Sequence, residues 1–496
     1  MSPPRGGRAP LFVFAAALAL FTLTAGGSLT SSDSVTTFAL TANLVDRHSI
    51  SLEGASGNLD VSPGPDGRPY SRYGLGQSLY NIPFYLAGKI AVRAMGRPIG
   101  RPDSIPKAVV ALGSAVAAAG CVLAVWLLAC RLGATPRGAL VASASAAVAS
   151  PLWPYSKFGF STALTALVLL TSAWLLADPE PRRQVKSAAA AGLVVAFGWL
   201  TRHEMAVVLL PFVAFLIMTG GSSRPDVFRR IAAFVGCAAA GGVLWAWYNV
   251  VRFGQPFAVG YSPEFNGAGY VAYLFSPSGS IALFAPIAIA WLAGLFAPRA
   301  ASAAVRVLLA SPLAVFYLFY GALADWPGGR SYGPRYLVPA LLLLSPGAAL
   351  LWDRGSRRRA AIVAAIIAGA LLQVPGVLVD YSKVSVDWAR GATREDVVHR
   401  TWIPAASPLV LNVRAAGPAV SRNLAYLTGR EPVPRVAATS GADDREFSQQ
   451  FAFSLDFWWL YLVYLHALSV RAALAVAAAL AGAATVCALM AWRTTA

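Results

Sequence analysis

Apolar runs separated by polar segments follow one another along almost the whole chain. A helix needs about 20 apolar residues to cross the hydrocarbon core of a bilayer, so runs near that length predict membrane-spanning helices. We predict twelve spans, at residues 11–30, 107–130, 138–152, 161–177, 187–201, 205–219, 231–249, 281–297, 304–323, 335–352, 360–379 and 471–492. The expected fold class is all-α: a polytopic membrane protein with external loops and interfacial helices.

Three segments need separate treatment. The first apolar run follows Arg5 and Arg8 and ends in small residues, as a signal peptide does, but it is long enough to cross the membrane, and we predict an uncleaved span. Residues 78–92 are short and contain a proline and a lysine, which favours an interfacial or re-entrant helix. The aromatic run at 457–461 is typical of an interface belt leading into the last span.

Composition agrees with a membrane protein. The chain has 496 residues, of which 57% are hydrophobic and only 12% are charged. Soluble domains carry about 25% charged residues. The net charge of +18 does not indicate nucleic-acid binding, because the basic residues alternate with apolar spans, as topology signals do. The four cysteines lie inside apolar runs, which predicts neither a disulfide framework nor a metal site.

Basic residues cluster in every second connecting loop. If the N-terminus is cytoplasmic, these clusters all fall on the cytoplasmic side, as the positive-inside rule requires. They are Arg131/Arg137, Arg182/Arg183/Lys186, Arg224/Arg229/Arg230, Arg299/Arg306 and Arg354/Arg357/Arg358/Arg359, with Arg493 near the end. We predict an inner (plasma) membrane protein with both termini in the cytoplasm.

The external side then receives the long and polar loops. We divide the chain into a transmembrane module at 1–379, whose first external loop is 31–106, an external loop or small cap domain at 380–456, and an aromatic segment with the last span at 457–496. No internal repeat is visible in the sequence, so a pseudo-symmetric transporter is not indicated.

Asp33 directly follows the first apolar run, where a carboxylate is costly unless something pairs with it or uses it. It is a candidate general base, a role worth about 10²–10⁴-fold in rate. It also stands among Ser31, Ser32 and Ser34 before an amphipathic helical pattern, and these residue types cap helices. Both interpretations stay open, because one carboxylate oxygen can cap a helix while the other faces a cavity.

The first external loop contains DGRPYSRYG at residues 66–74. Asp-Gly and Arg-Pro favour a simple turn. The excess of arginine and tyrosine beside a membrane favours a site instead. Arg72 is a candidate phosphate ligand, and Tyr70 and Tyr73 are candidates for stacking on a ligand.

Two further external turns carry polar groups. Arg202-His203-Glu204 is either a self-paired interfacial cluster or presents Arg202 or Glu204 to a cavity. Asn249 and Arg252 are the polar side chains of a Gly- and Pro-rich loop that is either a connector or part of a site. No second His or Cys lies at ligand spacing from His203, so no metal site is predicted there.

The external segment richest in arginine, aromatic residues and glycine is DWPGGRSYGPRY at residues 325–336, which leads directly into a predicted span. The guanidinium fork matches phosphate geometry, and Arg335 would lie at the depth of lipid headgroups. The alternative for Arg335 is snorkelling to the interface. Four neighbours are candidates for lining a site: Trp326, Arg330, Tyr332 and Tyr336.

Taken together, these motifs resemble bacterial membrane proteins of the GT-C glycosyltransferase superfamily. Relatives include the dolichyl-phosphate-mannose protein mannosyltransferases and the aminoarabinose transferases of lipid A. The resemblance covers roughly residues 11–352. The motifs that carry it are the external loop with an early Asp33, DGRPYSRYG, NVVRFGQPF with a later LFSPSG, and WPGGRSYGPRY.

The resemblance implies a GT-C-like fold and transfer of a sugar, with inversion, from a polyprenyl-phosphate donor to a lipid, polysaccharide or protein acceptor on the external (periplasmic) face. It assigns the catalytic carboxylate to Asp33 and the phosphate-holding arginine to Arg335, with Arg72 and Arg252 as further phosphate ligands. The expected sugar- or acceptor-lining residues are Tyr70, Tyr73, Arg202, Glu204, Asn249, Trp326, Arg330, Tyr332 and Tyr336.

This chain departs from the family pattern at one point, because many members have two adjacent acids where it has Asp33-Ser34. Either Asp33 acts alone or the function of the pair is lost. An inactive relative serving as an assembly subunit therefore stays open, as does a transporter or flippase for a lipid-linked saccharide. The predicted spans are nearly free of charge, which favours the enzyme. No cofactor is assigned, and a divalent metal is left open.

Overall fold

The structure is a computed structural model. It describes residues 7–96, 99–220, 224–261, 263–385, 393–436, 447 and 449–495. This part of the chain is mostly helical and contains one small antiparallel sheet. The all-α prediction is therefore confirmed.

The described residues up to 253 form ten α-helices and the sheet. The helices are α1 (Ala9–Leu23), α2 (Ser32–Asp46), α3 (Leu75–Met95), α4 (Ser104–Arg131), α5 (Pro136–Val148), α6 (Leu152–Tyr155), α7 (Ser161–Leu176), α8 (Gln184–Thr201), α9 (Leu209–Met218) and α10 (Arg224–Phe253). A 3₁₀ helix at His203–Val208 precedes α9. The sheet is a hairpin of β1 (Val61–Pro63) and β2 (Pro69–Ser71) within the first external loop.

The second half is broken into shorter pieces. Its helices are α11 (Ala268–Phe275), α12 (Ile281–Phe284), α13 (Ile287–Phe296), α14 (Ala303–Ala322), α15 (Val338–Leu341), α16 (Pro346–Trp352), α17 (Ser356–Leu378), α18 (Tyr381–Val384), α19 (Arg394–Arg400), α20 (Pro408–Leu427), α21 (Trp458–Tyr464) and α22 (Val470–Thr494). Two 3₁₀ helices lie at Leu342–Leu344 and Pro404–Ala406.

Within the described residues, five helices are long and apolar enough to cross a membrane: α4, α10, α14, α17 and α22. Helices of this kind indicate an integral membrane protein. Other predicted spans fold as shorter apolar helices. The span predicted at 335–352, for example, consists of α15, a 3₁₀ turn and α16, and the one at 281–297 is divided into α12 and α13. The number of crossings therefore stays a prediction.

Small residues let the helices pack closely. Packing is most extensive between α8 and α10, between α1 and α22, and around α4, whose buried face is rich in alanine. The tightest approach joins α13 and α16, where a Cβ atom on Gly294 would lie only 1.8 Å from the Gly347 carbonyl oxygen. Small residues at such contacts are typical of helix packing in membranes.

The described contacts bring the predicted cytoplasmic loops together at one end. The Thr135 hydroxyl donates to Asp353 at 2.6 Å, and the Arg137 guanidinium lies 5.6 Å from the ring of Trp492. The loops predicted to be external meet one another at a different place, described below. This grouping agrees with the predicted topology, while the side of the membrane that each end faces stays a prediction.

The predicted external segment 380–456 is helical where it is described. Helix α20 packs on α17, and the Asn412 side chain donates to the Val379 carbonyl at 2.9 Å. A separate apolar cluster around Phe451, Leu460 and Tyr464 joins the segment to α21 and α22. Residues 386–392, 437–446 and 448 of this segment lie outside the described residues, and its division from the transmembrane module stays a prediction.

Candidate active site

Asp33 lies in the first turn of α2, but it does not cap the helix. The Ser31 side chain accepts a hydrogen bond from the Ser34 amide at 3.2 Å, which is the bond that an N-cap residue makes. The capping role that the sequence left open for Asp33 therefore belongs to Ser31. Both carboxylate oxygens of Asp33 have other partners, and a negative charge in the first turn is favoured by the helix dipole.

The first partner of Asp33 is Arg335, 302 residues further along the chain. Arg335 Nη2 donates to Asp33 Oδ2, and Nη1 donates to the Gly328 carbonyl at 3.0 Å. The Arg335 side chain is 9% exposed, so it does not snorkel to the interface. Its Nε is buried without a hydrogen-bond partner among the described residues. The guanidinium thus holds Asp33 and keeps one donor available.

The loop before Arg335 depends on its glycines. Gly328 and Gly333 have φ angles of 68° and 76°, in the left-handed region that strains other residues. A Cβ atom on Gly328 would also approach the Tyr336 ring to 3.0 Å. The glycines let the chain fold back, so that the carbonyl at 328 meets the guanidinium seven residues later.

Phe160 supplies an apolar wall for the same guanidinium. The Arg335 guanidinium carbon lies 4.4 Å from the centroid of the Phe160 ring. Phe160 directly precedes α7, in the loop between the spans predicted at 138–152 and 161–177. No sequence pattern predicts this contact, because nothing local relates residue 160 to residue 335.

The second partner of Asp33 is Tyr73, at the end of DGRPYSRYG. Its hydroxyl lies 3.0 Å from Asp33 Oδ1 and 2.5 Å from Asp60 Oδ2. Burial, together with the two carboxylates, raises the pKa of Tyr73 well above its ordinary value, so the phenol keeps its proton. Three acidic or phenolic groups and one guanidinium therefore form a continuous chain from Arg335 to Asp60.

Asp60 is a site residue that sequence reasoning missed. It directly precedes β1, and the hairpin register pairs Val61 with Ser71. Continuing that register by one residue brings Asp60 beside Arg72, next to Tyr73, and the Arg72 amide donates to the Asp60 carbonyl at 3.3 Å. The sequence does contain a signal for Asp60. A turn sequence lies between two short β-prone runs, and extending their antiparallel pairing outwards by one residue reaches Asp60.

Arg252 and Asn249 support the segment that carries Tyr73. Arg252 Nη1 donates to the carbonyls of Ser71 at 2.5 Å and Tyr73 at 2.9 Å, and Nη2 donates to Asn249 Oδ1 at 2.6 Å. The Asn249 amide in turn donates to the Pro256 carbonyl at 3.0 Å. Arg252 is 2% exposed. Through Nη1, Arg252 therefore holds the backbone of the first external loop, and through Nη2 it holds Asn249.

Two other candidates lie in the hairpin itself. The Tyr70 hydroxyl donates to Asp66 Oδ2 at 2.9 Å, and the Tyr70 side chain is buried. Arg72 is exposed, and its Nε donates to Ser62 Oγ at 3.0 Å. The structure does not bring either side chain to Asp33.

Arg202 and Glu204 form a buried pair beside the centre. Arg202 Nε lies 2.9 Å from Glu204 Oε1, and the Tyr320 hydroxyl donates to the same carboxylate oxygen. The Tyr336 ring stacks on Tyr320 at 4.4 Å between centroids. Both guanidiniums face Tyr336, Arg202 at 5.0 Å and Arg335 at 5.3 Å from its centroid. The triplet is self-paired, as one interpretation held, and the Tyr336 ring connects it to Arg335. Whether Arg202 or Glu204 faces a substrate cavity, as the other interpretation held, stays a prediction.

A cavity of about 330 Å³ lies beside the glycine loop, residues 328–333. Trp326 and Arg330 line it, together with Tyr381, Arg400 and Pro408 from the predicted external segment. Tyr332 instead packs inward, where its hydroxyl donates to the Leu372 carbonyl at 2.6 Å. A second cavity, of about 440 Å³, runs along α2 away from Asp33.

A buried charge network, unpredicted from the sequence, anchors the external loops. Asp456 contacts Lys157 Nζ at 3.1 Å and Lys383 Nζ at 3.0 Å, and it accepts a hydrogen bond from Tyr461. Burial opposes the charge on Asp456, but the two ammonium groups outweigh it and hold the pKa of Asp456 well below its usual range. Lys157 lies three residues before Phe160. The network therefore fixes the loop whose Phe160 ring packs against Arg335.

The carboxylates of the centre were also considered as metal ligands. Asp33 and Asp60 are separated by the Tyr73 hydroxyl, and within the described residues no three His, Cys, Asp or Glu side chains converge. We derive no step through a metal ion.

Comparison with known proteins gives one family match. Residues 104–247 match the family of the dolichyl-phosphate-mannose-protein mannosyltransferases. The resemblance predicted from the sequence is confirmed over this range, which runs from α4 into α10. The range does not include Asp33, Tyr73 or Arg335. No curated protein sequence matches the chain.

Several solved structures are distantly similar. ArnT from Cupriavidus metallidurans bound to undecaprenyl phosphate is 14% identical, with a TM-score of 0.49 over 90% of this chain and 84% of that one. The oligosaccharyltransferase of Archaeoglobus fulgidus in the apo form is 13% identical, with a TM-score of 0.44 over 93% and 63%. AglB from A. fulgidus, in complex with an inhibitory peptide and a dolichol-phosphate, is 13% identical, with a TM-score of 0.39 over 93% and 64%. At these distances the likeness assigns neither a substrate nor a site residue to this chain.

Proposed function

We propose that this protein is a membrane glycosyltransferase that moves a sugar from a polyprenyl-phosphate donor to an acceptor hydroxyl, with inversion. The observation that carries the proposal is the pairing of Asp33 with Arg335. A carboxylate from the first external loop and a buried arginine from the WPGGRSYGPRY motif meet, although 302 residues separate them. The family match at 104–247 supports a lipid-phosphate-linked sugar as the donor.

In the proposed reaction, Asp33 is the general base. The acceptor O–H bond breaks as its proton moves to the carboxylate, and the acceptor oxygen forms the new bond to the anomeric carbon of the sugar. The bond from that carbon to the phosphate oxygen breaks on the opposite face, and polyprenyl phosphate leaves with the electron pair. The Asp33 side chain is 23% exposed, which leaves it accessible to a ligand.

Arg335 and Arg202 are the proposed phosphate ligands. Electrostatic stabilisation of a leaving group is strong in a site that excludes water. Both guanidiniums face the Tyr336 ring, and Arg335 keeps a buried Nε–H without a protein acceptor. A donor phosphate at this position would compete with Asp33 for Arg335. Donor binding would therefore release the carboxylate and make it available as a base.

The other predicted arginines have different proposed roles. Arg252 is a positioning residue, because both of its terminal nitrogens are engaged, Nη1 with the carbonyls of Ser71 and Tyr73 and Nη2 with Asn249. Arg72 stays a prediction as a phosphate ligand, and its exposed position on the hairpin suits a contact with an entering substrate.

The acceptor is proposed to occupy the cavity beside the glycine loop. Trp326 lines this cavity, while the adjacent Gly328 carbonyl holds Arg335 on the other side of the loop. Arg330 and Arg400 add positive charge, and Tyr381 adds an aromatic surface. The predicted external segment contributes one wall, which would let it choose the acceptor. By the basic-loop pattern, we place this site on the external side.

The experiment is sugar transfer by the purified chain in lipid nanodiscs from a panel of radiolabelled polyprenyl-phosphate sugars. Consumption of one donor, with release of polyprenyl phosphate and an inverted product linkage, is the expected result. The same panel is offered to sealed vesicles of each orientation, and transfer is expected only when the donor and the acceptor reach the external side.

Two outcomes would overturn the proposal. Movement of an intact lipid-linked saccharide across the vesicle membrane without consumption would indicate a flippase. Absence of donor consumption, together with stable association with another envelope enzyme, would indicate an inactive assembly subunit.

A further inference from the structure

A second carboxylate lies behind the proposed base, connected to it by one phenol. We propose that Tyr73 and Asp60 form a proton relay that takes the proton from Asp33 during each transfer and delivers it to water. The inference rests on the proposed function, since it needs a reaction in which Asp33 gains a proton. It adds two residues, one of which the sequence did not indicate.

The relay follows from counting protons. Tyr73 Oη lies between Asp33 Oδ1 at 3.0 Å and Asp60 Oδ2 at 2.5 Å. Two hydrogen bonds among three oxygens need two protons, whereas one phenol between two ionised carboxylates supplies only one. When the phenol donates that proton to Asp60, the contact with Asp33 is left without a proton. The Tyr73 oxygen then faces Asp33 with a lone pair, ready to accept a proton from it.

The reaction supplies the missing proton. When Asp33 takes the proton from the acceptor hydroxyl, its new O–H can donate to Tyr73 Oη, and both hydrogen bonds of the array are complete. Transfer along the array breaks the Asp33 O–H bond and forms a Tyr73 O–H bond, while the former phenol proton bonds to Asp60. Asp33 is ionised again, and one proton has moved from acceptor to Asp60 without any other reactant.

The surroundings give the array a direction. Arg335 contacts Oδ2 of Asp33, so Oδ1 is the oxygen that faces Tyr73. Among the residues that the structure describes, Asp60 forms no ion pair within 4 Å, and its backbone amide is fixed by a hydrogen bond to Thr36 Oγ1 at 2.9 Å. Asp60 is partly exposed and can release a proton to solvent. The charged groups facing Tyr73 are thus Asp33, Asp60 and Arg335.

A purely structural role for the phenol is the competing explanation. Tyr73 could simply fix the Asp33 rotamer, with Asp60 fixing Tyr73. The same hairpin offers a matched control, because the Tyr70 hydroxyl donates to Asp66 at 2.9 Å without reaching Asp33. Asp66→Asn therefore tests what losing a Tyr–Asp bond in this hairpin does by itself.

The test compares Asp60→Asn, Tyr73→Phe and Asp66→Asn with wild type in the nanodisc transfer assay, with kcat and kcat/KM measured between about pH 5 and 9. General acid–base assistance is worth about 10²–10⁴-fold, and we expect Asp60→Asn and Tyr73→Phe to lower kcat by at least about tenfold. Donor affinity, measured by binding of the labelled lipid, should not change. Asp66→Asn should behave as wild type.

Two substitutions of Asp60 separate a relay from a rotamer support. Asparagine keeps the size of the side chain and an acceptor for the Tyr73 hydroxyl but cannot take up the proton, whereas Asp60→Glu restores a carboxylate. A relay therefore predicts that Asp60→Asn loses kcat and that Asp60→Glu recovers part of it. Near wild-type kcat in Asp60→Asn, or no recovery in Asp60→Glu, would overturn the relay in favour of a structural role.

Failure of the relay and failure of the proposed function give different results. If wild type transfers sugar and Asp60→Asn matches Asp66→Asn in rate and pH profile, the relay is wrong and the enzyme assignment stands. If wild type consumes no donor, the proposed function itself is wrong. If Asp60→Asn does not fold, Tyr73→Phe decides, and wild-type kcat in that variant would contradict the relay.

Discussion

Arg335 owes its proposed role to the shape of its side chain as much as to its charge. The guanidinium donates to Asp33 and to the Gly328 carbonyl through separate nitrogens, and its Nε remains buried without a partner among the described residues. An ammonium group could pair with Asp33 but could not keep these directions at once. A positive charge alone is therefore not expected to support sugar transfer at this position.

Arg335→Lys should accordingly lower kcat/KM for sugar transfer by about 10²–10³-fold, the loss typical of one donor in a charge-stabilising site. Arg68→Lys is the matched control, since the Arg68 side chain is 58% exposed in the same set of loops. Near wild-type kcat/KM in Arg335→Lys would show that the planar fork is not used.

The Asp456 network makes a stability prediction at the residue scale. Removing Asp456 takes the ion-pair partner from two buried ammonium groups, whereas removing Lys157 leaves Asp456 paired with Lys383. Breaking a buried ion pair costs about 3–5 kcal/mol. Asp456→Asn should therefore destabilise the protein by about that amount, and Lys157→Met by less.

Thermal unfolding in detergent, followed by circular dichroism, measures this difference. The exposed pair of Arg229 and Asp226, 70% and 62% exposed, provides the control, and Asp226→Asn should change stability by less than about 1 kcal/mol. Because the pKa of Asp456 is lowered in the folded state, its contribution is fully present above an unfolded-state pKa of about 3.9 and is lost as the pH falls further. Equal melting temperatures for Asp456→Asn and Lys157→Met would contradict the account.

At the scale of elements, helix α2 and the hairpin each contribute one residue to the proposed centre. Helix α2 presents Asp33 at its first turn, with the cap supplied by Ser31. The hairpin presents Tyr73 after β2, and Arg252 at the end of α10 fixes that segment through two backbone carbonyls. The position of Tyr73 therefore depends on a helix that is distant in sequence.

Arg252→Met tests whether this residue positions the loop or binds the donor. A positioning role predicts that kcat falls at least about tenfold, because Tyr73 is no longer held against Asp33, while donor affinity is unchanged. A role in phosphate binding predicts weaker donor affinity instead. Equilibrium binding of the labelled lipid beside single-turnover transfer separates the two, and a loss of affinity alone would contradict the positioning role.

Sequence patterns predicted the elements better than their contacts. The helical period after Asp33 and the long apolar runs have local signals, so α2 and helices such as α4 and α17 were found. Pairings such as Lys157 with Asp456 carry no local signal, because they depend on how distant loops meet. Proline-containing runs such as 335–352 were predicted as single spans, although the chain breaks there into short helices.

At the scale of the whole molecule, the arginine pattern and the contacts divide the loops into the same two groups, one predicted to be cytoplasmic and one predicted to be external. Thr135 meets Asp353 at one end, while Asp33, Tyr73 and Arg335 meet at another place. Loops that a membrane holds on opposite sides cannot contact each other directly. The grouping therefore agrees with a site on the side opposite the basic loops.

Cysteine labelling tests this topology. Arg68→Cys, on the exposed hairpin, and Arg357→Cys, at the exposed start of α17, each place a thiol at the surface. A membrane-impermeant maleimide applied to intact cells should label Arg68→Cys but label Arg357→Cys only after lysis. The unsubstituted chain is the control for its four cysteines. Labelling of Arg357→Cys in intact cells would contradict the predicted orientation.

The most direct test of the central claim is sugar transfer by Asp33→Asn beside Asp46→Asn. Both carboxylates lie on α2, about 20 Å apart at 1.5 Å per residue, and Asp46 pairs with Lys89 away from the proposed centre. The account predicts that Asp33→Asn loses at least about 10²-fold in transfer rate while still binding the donor, and that Asp46→Asn keeps the wild-type rate. Normal transfer by folded Asp33→Asn would contradict the account at its centre.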